Sequence, residues 1–274
     1  MNVLSLFDGM SCGRIALERA GIKVDKYFAS EIDKYAIQIA NKNYPDTIHL
    51  GDVQEVIYPE SFDGHKIDLV IGGSPCQGFS FAGQRLNFDD PRSKLFFEYA
   101  RLVKECNPKY FLIENVRMKQ ECQDVISDIL GVYPIPINSS LVSAQSRKRL
   151  YWTNIPRVSQ PDDKAIVLKD ILENGIVDRD KSHCIDANYF KGGNLKQYFE
   201  KHRRQLVFSE DGLCHIGTAD DEKRWRKLTP LECERLQTVP DGYTVGVSNS
   251  QRYKMLGNGW TVDVISHIFK NMEA

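Results

Sequence analysis

Val3-Leu-Ser-Leu-Phe-Asp-Gly-Met-Ser-Cys-Gly-Arg-Ile-Ala-Leu-Glu-Arg-Ala-Gly21 reads as a strand, a tight turn and a helix in one unbroken stretch. The apolar run Val3 to Phe7 predicts a buried strand, Cys12 to Ala20 a helix, and Gly21 its stop. The same alternation continues outward. Tyr27-Phe-Ala29 is a second strand, Asp33 to Asn43 a helix closed by Pro45, and Ile48-His-Leu50 and Ile67-Asp-Leu-Val-Ile71 are further strands. A helix from Ser93 to Cys106, a strand Tyr110-Phe-Leu-Ile113, a helix near Gln120 to Leu130 and a strand Leu150-Tyr-Trp152 follow. Strands alternating with helices of this length imply βαβ units and an α/β fold with a parallel, doubly wound sheet. Ligands of such sheets sit beyond the carboxyl ends of the strands.

At 274 residues the chain forms one large domain or two smaller ones, at about 150 residues each. Lys plus Arg number 36 against 37 Asp plus Glu, and 42% of residues are hydrophobic, which excludes a disordered or collagen-like chain. No apolar run approaches the roughly 18 residues of a membrane helix, so a cytoplasmic protein with no membrane partner is expected. The seven cysteines form an odd, scattered set without a C-x-x-C pair, so neither a disulfide framework nor a structural metal is expected. Cations cluster locally. Arg147, Lys148, Arg149 and Arg157 stand in an acid-free stretch, and His202-Arg-Arg204 and Lys223-Arg-Trp-Arg-Lys227 in a mixed one. A charged, solvated face is the ordinary reading of such runs, and a basic groove for a polyanion is the sharper one.

Past Pro156 the strand–helix rhythm stops. Residues 156–228 are loop-rich and polar, with Gly192-Gly193, and read as a small separate lobe. The sheet-bearing part then comprises 1–155 together with 229–274. Thr229-Pro-Leu-Glu232 restarts a helix with a capping threonine, proline at its first position and a glutamate three residues after the cap.

Three strand ends carry chemistry. The glycines of Phe7-Asp-Gly-Met-Ser-Cys-Gly13 let backbone approach a ligand at a helix start, yet this is no G-x-G-x-x-G pyrophosphate turn. Glu31 and Asp52 end the next two strands, where carboxylates reach ribose hydroxyls and an adenine amino group, although each alone reads as a surface acid or helix cap. Together they favour an adenosine-type cofactor without a pyrophosphate. Gly72-Gly-Ser-Pro-Cys-Gln-Gly-Phe-Ser80 sets Cys76 on a rigid turn after a buried strand. Most cysteines are merely buried, but this one stands at the active end of the sheet, with Glu114 ending the adjacent strand. In Gln145-Ser-Arg-Lys-Arg149 the period of two puts Arg147 and Arg149 on one side.

In order and spacing these motifs, with Arg226-x-Leu-Thr-Pro-x-Glu-x-x-Arg-Leu-Gln237 and Gly257-Asn258, resemble the DNA (cytosine-5) methyltransferase family over nearly the whole chain outside 156–228. Leu4 to Gly9, Val247-Ser-Asn-x-x-Arg252 and Gly257-Asn-Gly-Trp-Thr-Val262 are similar to the de novo mammalian enzymes. Phe88-Asp-Asp90 and Leu95-Phe-Phe97 are similar to bacterial restriction-modification enzymes, which implies a prokaryotic or phage-encoded protein.

The resemblance implies a Rossmann-like methyltransferase sheet with an inserted target recognition lobe, S-adenosyl-L-methionine as cofactor and double-stranded DNA as partner. It implies Cys76 as nucleophile toward C6 of a flipped cytosine, beneath a lid from Gln77 to Arg92. Glu114 would act at N3 of the base and Arg149, with Arg147, at O2. For the cofactor it implies Asp8, Gly9 and Met10 in the first turn, Glu31 at the ribose, Ile32 on the adenine face, Asp52 and Val53 at the adenine edge, and Leu95, Asn258 and Trp260 completing the pocket. A tRNA methyltransferase of the DNA-like type shares the catalytic motifs, but such members carry a Cys-Phe-Thr signature that this sequence lacks. An inactive DNA-binding homologue is disfavoured by the presence of Cys76, Glu114 and Arg149 together, and a dinucleotide oxidoreductase by the missing fingerprint.

Overall fold

The computed structural model describes residues 1–74, 91–191, 195–209 and 224–273. Cys76, the lid as far as residue 90, Gly192-Gly193 and Lys223 lie outside the described residues. In chain order the elements are β1 (Asn2–Leu6), α1 (Cys12–Arg19), β2 (Lys26–Ser30), α2 (Lys34–Asn43), β3 (Ile48–Gly51), β4 (Leu69–Gly72), α3 (Pro91–Cys106), β5 (Tyr110–Val116), α4 (Gln120–Leu130), β6 (Ile135–Asn138), β7 (Gln145–Ser146), β8 (Lys148–Thr153), β9 (Ser182–His183), α5 (Leu195–Lys201), β10 (Leu206–Phe208), β11 (Trp225–Lys227), α6 (Pro230–Leu236), α7 (Asn249–Asn258) and α8 (Val262–Phe269).

The central sheet has seven strands in the order β3-β2-β1-β4-β5-β8-β6. Strands β1 to β5 pair in parallel, as the strand–helix alternation requires. The order reverses between β1 and β4, which makes the crevice beyond their carboxyl ends the place where a ligand fits. Strand β8 departs from the parallel expectation by running antiparallel to β5. Side-chain alternation has the same period in either direction, so the sequence pattern does not distinguish them. The sequence reading also passed over β6, which contains Pro136; a strand at the sheet edge tolerates a residue that cannot donate to a ladder.

Two compact units share the chain, one of Met1–Ile137, Lys148–Gln160 and Ile265–Ala274, the other of Asn138–Arg147 and Pro161–Val264. The first is built on the sheet. Leu4, Leu6, Phe28, Val70, Phe111 and Ile113 from the strands pack with Phe96, Tyr99 and Leu102 of α3. In the second unit β10 and β11 form an antiparallel pair and β7 and β9 a parallel one. Tyr198, Leu206 and Phe208 form a small apolar cluster there.

That unit is also held by buried polar groups. Gln145 Nε2 donates to Leu236 O at 2.9 Å and to Gln237 Oε1 at 2.8 Å, and Gln237 Nε2 donates to Leu256 O and Gly259 O. Glu232 is fully buried, closes the capping box with Thr229, and takes a two-pronged ion pair from Arg226 at 2.8 Å per contact. Such planar pairing matches guanidinium to carboxylate geometry.

Candidate active site

The site in the first unit begins at the turn after β1. Gly9 N donates to Glu31 Oε2 at 2.8 Å, while Ile32 N and Asp33 N both donate to Glu31 Oε1 at 2.8 Å. The carboxylate at the end of β2 is thereby fixed by three backbone donors. Ile32 beside it is 74% exposed, which leaves its apolar side chain open to stack against a flat ring. At the end of β3, Asp52 caps a short 3-10 turn, its Oδ1 accepting from Gln54 N at 3.0 Å. Arg101 of α3 supports that turn from behind, donating to Val56 O at 2.9 Å while pairing with Glu98 and Glu105. Two anchored acids with an exposed apolar side chain between them in sequence fit a nucleoside, whose sugar and base present hydroxyls, an amino group and an apolar face.

The other residues expected here differ in exposure. Asp8 does not face outward: its carboxylate is buried, accepting from Ser11 Oγ and from the Tyr27 hydroxyl. Met10 and Val53 are buried as well, and Val53 belongs to the core. These residues can offer a ligand backbone groups and support rather than side chains. Leu95 packs partly buried against the same core. Asn258, exposed at the end of α7, and Trp260 just beyond it belong to the second unit.

The thiol-bearing loop is approached from β4. Gly72 ends that strand where a Cβ would come within 3.1 Å of both Leu6 O and the Tyr99 ring, so a side chain there would push the strands apart. Two residues on, Ser74 is buried and clamped by Asn115, whose Nδ2 donates to Ser74 Oγ at 3.2 Å and to Ser74 O at 3.4 Å. The end of β5 thus pins the chain two residues before Cys76. Glu114, on the same strand end, forms an ion pair with Arg149 of β8 at 2.8 Å. The antiparallel register explains this contact: Glu114 faces Tyr151 and Val116 faces Arg149, so Glu114 and Arg149 are diagonal neighbours on one face.

Arg147 belongs to the second unit. The strand is interrupted at Arg147, with β7 pairing to β9 and β8 to β5, and the period of two does not carry across the break. Its guanidinium is buried in the second unit, donating to Cys184 Sγ at 3.3 Å, Ile185 O at 3.1 Å, Gly257 O at 3.2 Å and Gly259 O at 2.9 Å. The sequence reading missed Arg101 and Tyr27 as supports of the site. For Tyr27 a signal existed, since a tyrosine in a buried strand needs a partner for its hydroxyl.

The family model described as C-5 cytosine-specific DNA methylase matches residues 1–155 and 118–274. The chain belongs to the C-5 cytosine-specific DNA methylase family. It is 30% identical to the type II methyltransferase M1.ScrFI of Lactococcus lactis subsp. cremoris, over 98% of this chain and 77% of that one. To the type II methyltransferase M.NlaX of Neisseria lactamica it is 29% identical, over 99% of this chain and 96% of that one. In structure it is similar to the methyltransferase EhMeth of Entamoeba histolytica, with TM-score 0.79, 19% identity and coverage of 100% of this chain and 99% of that one, a likeness of fold. The methylase therefore has the doubly wound, Rossmann-like sheet of S-adenosylmethionine-dependent enzymes, and its reaction is methyl transfer to C5 of cytosine in DNA through a thiol adduct at C6, the chemistry general to the family. Among the described residues no helix is long and apolar enough to cross a membrane.

Proposed function

We propose that this methylase acts on double-stranded DNA in the cytoplasm as the modification partner of a restriction system, with the residues of the first unit dividing the work as follows. Cys76 as thiolate adds to C6 of the cytosine, which makes C5 an electron-rich enamine carbon. When bound, S-adenosylmethionine supplies the electrophilic methyl group. After transfer the C5 proton leaves and the thiolate is expelled, restoring the ring. Glu114 holds or shares a proton at N3, offsetting the charge that develops there, and Arg149 binds O2. The observation that carries this reading is the Glu114–Arg149 ion pair at the end of β5, with Asn115 of the same strand clamping the chain two residues ahead of Cys76. Arg147 supports the second unit rather than the base. Glu31 binds the ribose hydroxyls, Ile32 lies on the adenine face, and Asp52 with the backbone of Val53 reaches the adenine edge.

The reacting atoms of cytosine lie inside the duplex stack, so the base is flipped out for reaction. Residues 156–228 act as the target recognition lobe. Phosphate contacts there supply affinity and base contacts supply discrimination. The test is to incubate purified protein with duplex DNA and, separately, with tRNA, and to map 5-methylcytosine by bisulfite sequencing. Methylation of duplex cytosines in one fixed sequence context is expected. Methylation of tRNA in preference to DNA would overturn the duplex reading.

A further inference from the structure

We infer that Tyr27 is a positioning residue for the cofactor: its hydroxyl, acting through the buried Asp8 carboxylate, sets the turn whose Gly9 N–H aims Glu31. The inference rests on the reading of Glu31 as the ribose-binding carboxylate.

The turn is costly in itself. Phe7, Gly9 and Ser11 all have left-handed backbones, with φ of 57°, 61° and 64°. Glycine adopts this conformation freely, whereas Phe7 and Ser11 keep it only where their surroundings dictate it. Asp8, between them, supplies that dictation. One carboxylate oxygen accepts from Tyr27 Oη at 2.7 Å and the other from Ser11 Oγ at 2.5 Å, while Asp8 N donates to Ser30 O at 3.2 Å. Ser11 uses its hydroxyl on Asp8 and makes no side-chain cap for α1.

Burying a carboxylate is unfavourable, and burial is the main cause pushing the Asp8 carboxyl above its ordinary range. For packing alone a small apolar side chain would serve at this position, so the buried acid held by the hydroxyls of Ser5, Ser11 and Tyr27 points to a geometric task. Tyr27 is itself braced. The Arg14 guanidinium stacks 5.3 Å from the centres of both the Tyr27 and Tyr44 rings and pairs with Asp46 at 2.8 Å. One line of contacts therefore runs from Asp46 through Arg14, Tyr27 and Asp8 to the turn, and from Gly9 N to Glu31.

The experiment measures S-adenosylhomocysteine affinity by calorimetry and methyl transfer at saturating S-adenosylmethionine, for wild type, Tyr27→Phe, Glu31→Ala and the double variant. Tyr27→Phe removes one oxygen and keeps the ring under Arg14. The expected result is an affinity about tenfold weaker with kcat within twofold of wild type, and no further weakening when Tyr27→Phe is added to Glu31→Ala. Additive losses in the double variant, or an unchanged affinity in Tyr27→Phe, would overturn the inference. Should Tyr27→Phe fold poorly, Ser11→Ala removes another hydroxyl donor to Asp8 and carries the same expectation. The underlying reading is tested apart from Tyr27: a ribose-deoxy analogue of S-adenosylhomocysteine that bound wild type as tightly as the parent would show that Glu31 does not hold the sugar.

Discussion

Replacing Arg147 with Ala should destabilise the fold, whereas the same change at Arg149 should chiefly lower activity. Arg147 is 3% exposed, and its guanidinium serves the carbonyls of Ile185, Gly257 and Gly259 and the Cys184 sulfur. Alanine leaves the buried Ile185 and Gly257 carbonyls without this donor, at about 1–3 kcal/mol for each that water does not reach, while Gly259 O keeps its bond from Gln237. Water entering the vacated space recovers part of that, so a net loss of about 3–5 kcal/mol is expected. For a chain of this size each kcal/mol lowers Tm by about 2–4 °C, giving a drop of roughly 6–20 °C. Arg149 is less enclosed and pairs with Glu114, so Arg149→Ala should lower kcat by about two orders of magnitude with Tm within about 3 °C of wild type. Thermal denaturation and single-turnover methylation, run on both variants, check the contrast. An Arg147→Ala protein with wild-type Tm and no activity would refute the structural assignment of that arginine.

Three further outcomes follow from particular contacts. Arg226→Met should cost about 2–3 kcal/mol in urea denaturation, because it strips the ion pair from fully buried Glu232 while leaving the bonds that the backbone N–H groups of Thr229 and Glu173 donate to it; a loss below about 0.5 kcal/mol would contradict it. Burial and the neighbouring Arg179 depress His183 to about 4, so between the unfolded value near 6.5 and about 4 the unfolded chain takes up a proton that the folded one does not. Stability contributed by neutral His183 should therefore be present above pH 6.5 and lost as pH falls to about 4, by about 1 kcal/mol once solvent screening of the half-exposed ring is allowed for; His183→Gln should flatten that part of the stability–pH curve, and an unchanged slope would count against it. Arg203 is half exposed and pairs only at the surface with Asp186, so Arg203→Ala should reduce the salt dependence of DNA binding by about one unit of slope with no change in Tm, and an unchanged slope would remove it from the DNA-facing surface.

The strand–helix order of the first unit was legible because buried parallel strands read as apolar runs and the intervening helices end on glycine or proline, as at Gly21 and Pro45. Glu31, Asp52 and Glu114 were legible for a related reason: acids directly after apolar runs mark strand ends. Direction was not legible. Nothing in Lys148 to Thr153 says that β8 runs against β5, yet that register makes Arg149 and Glu114 neighbours. Arg147 misled because the period of two presumes an unbroken strand, and the break falls at that residue. The part Asp8 plays within its own turn was not legible, because only the position of Tyr27 on the neighbouring strand shows what its carboxylate binds. In the basic stretch 223–227, charge alone did not separate Arg226 and Lys227, held by Glu232 and Phe190 O, from cations available to a polyanion.

The covalent role of Cys76 is tested most directly by trapping. A duplex carrying 5-fluorocytosine at the methylated position, mixed with the enzyme and S-adenosylmethionine, should give a stable adduct, because fluorine blocks the loss of the C5 proton that releases the thiolate. Proteolysis and mass spectrometry should then place one nucleotide-bearing modification on the peptide containing Cys76, and Cys76→Ser should give none. An adduct on any other residue, or full methylation by Cys76→Ser, would contradict the account.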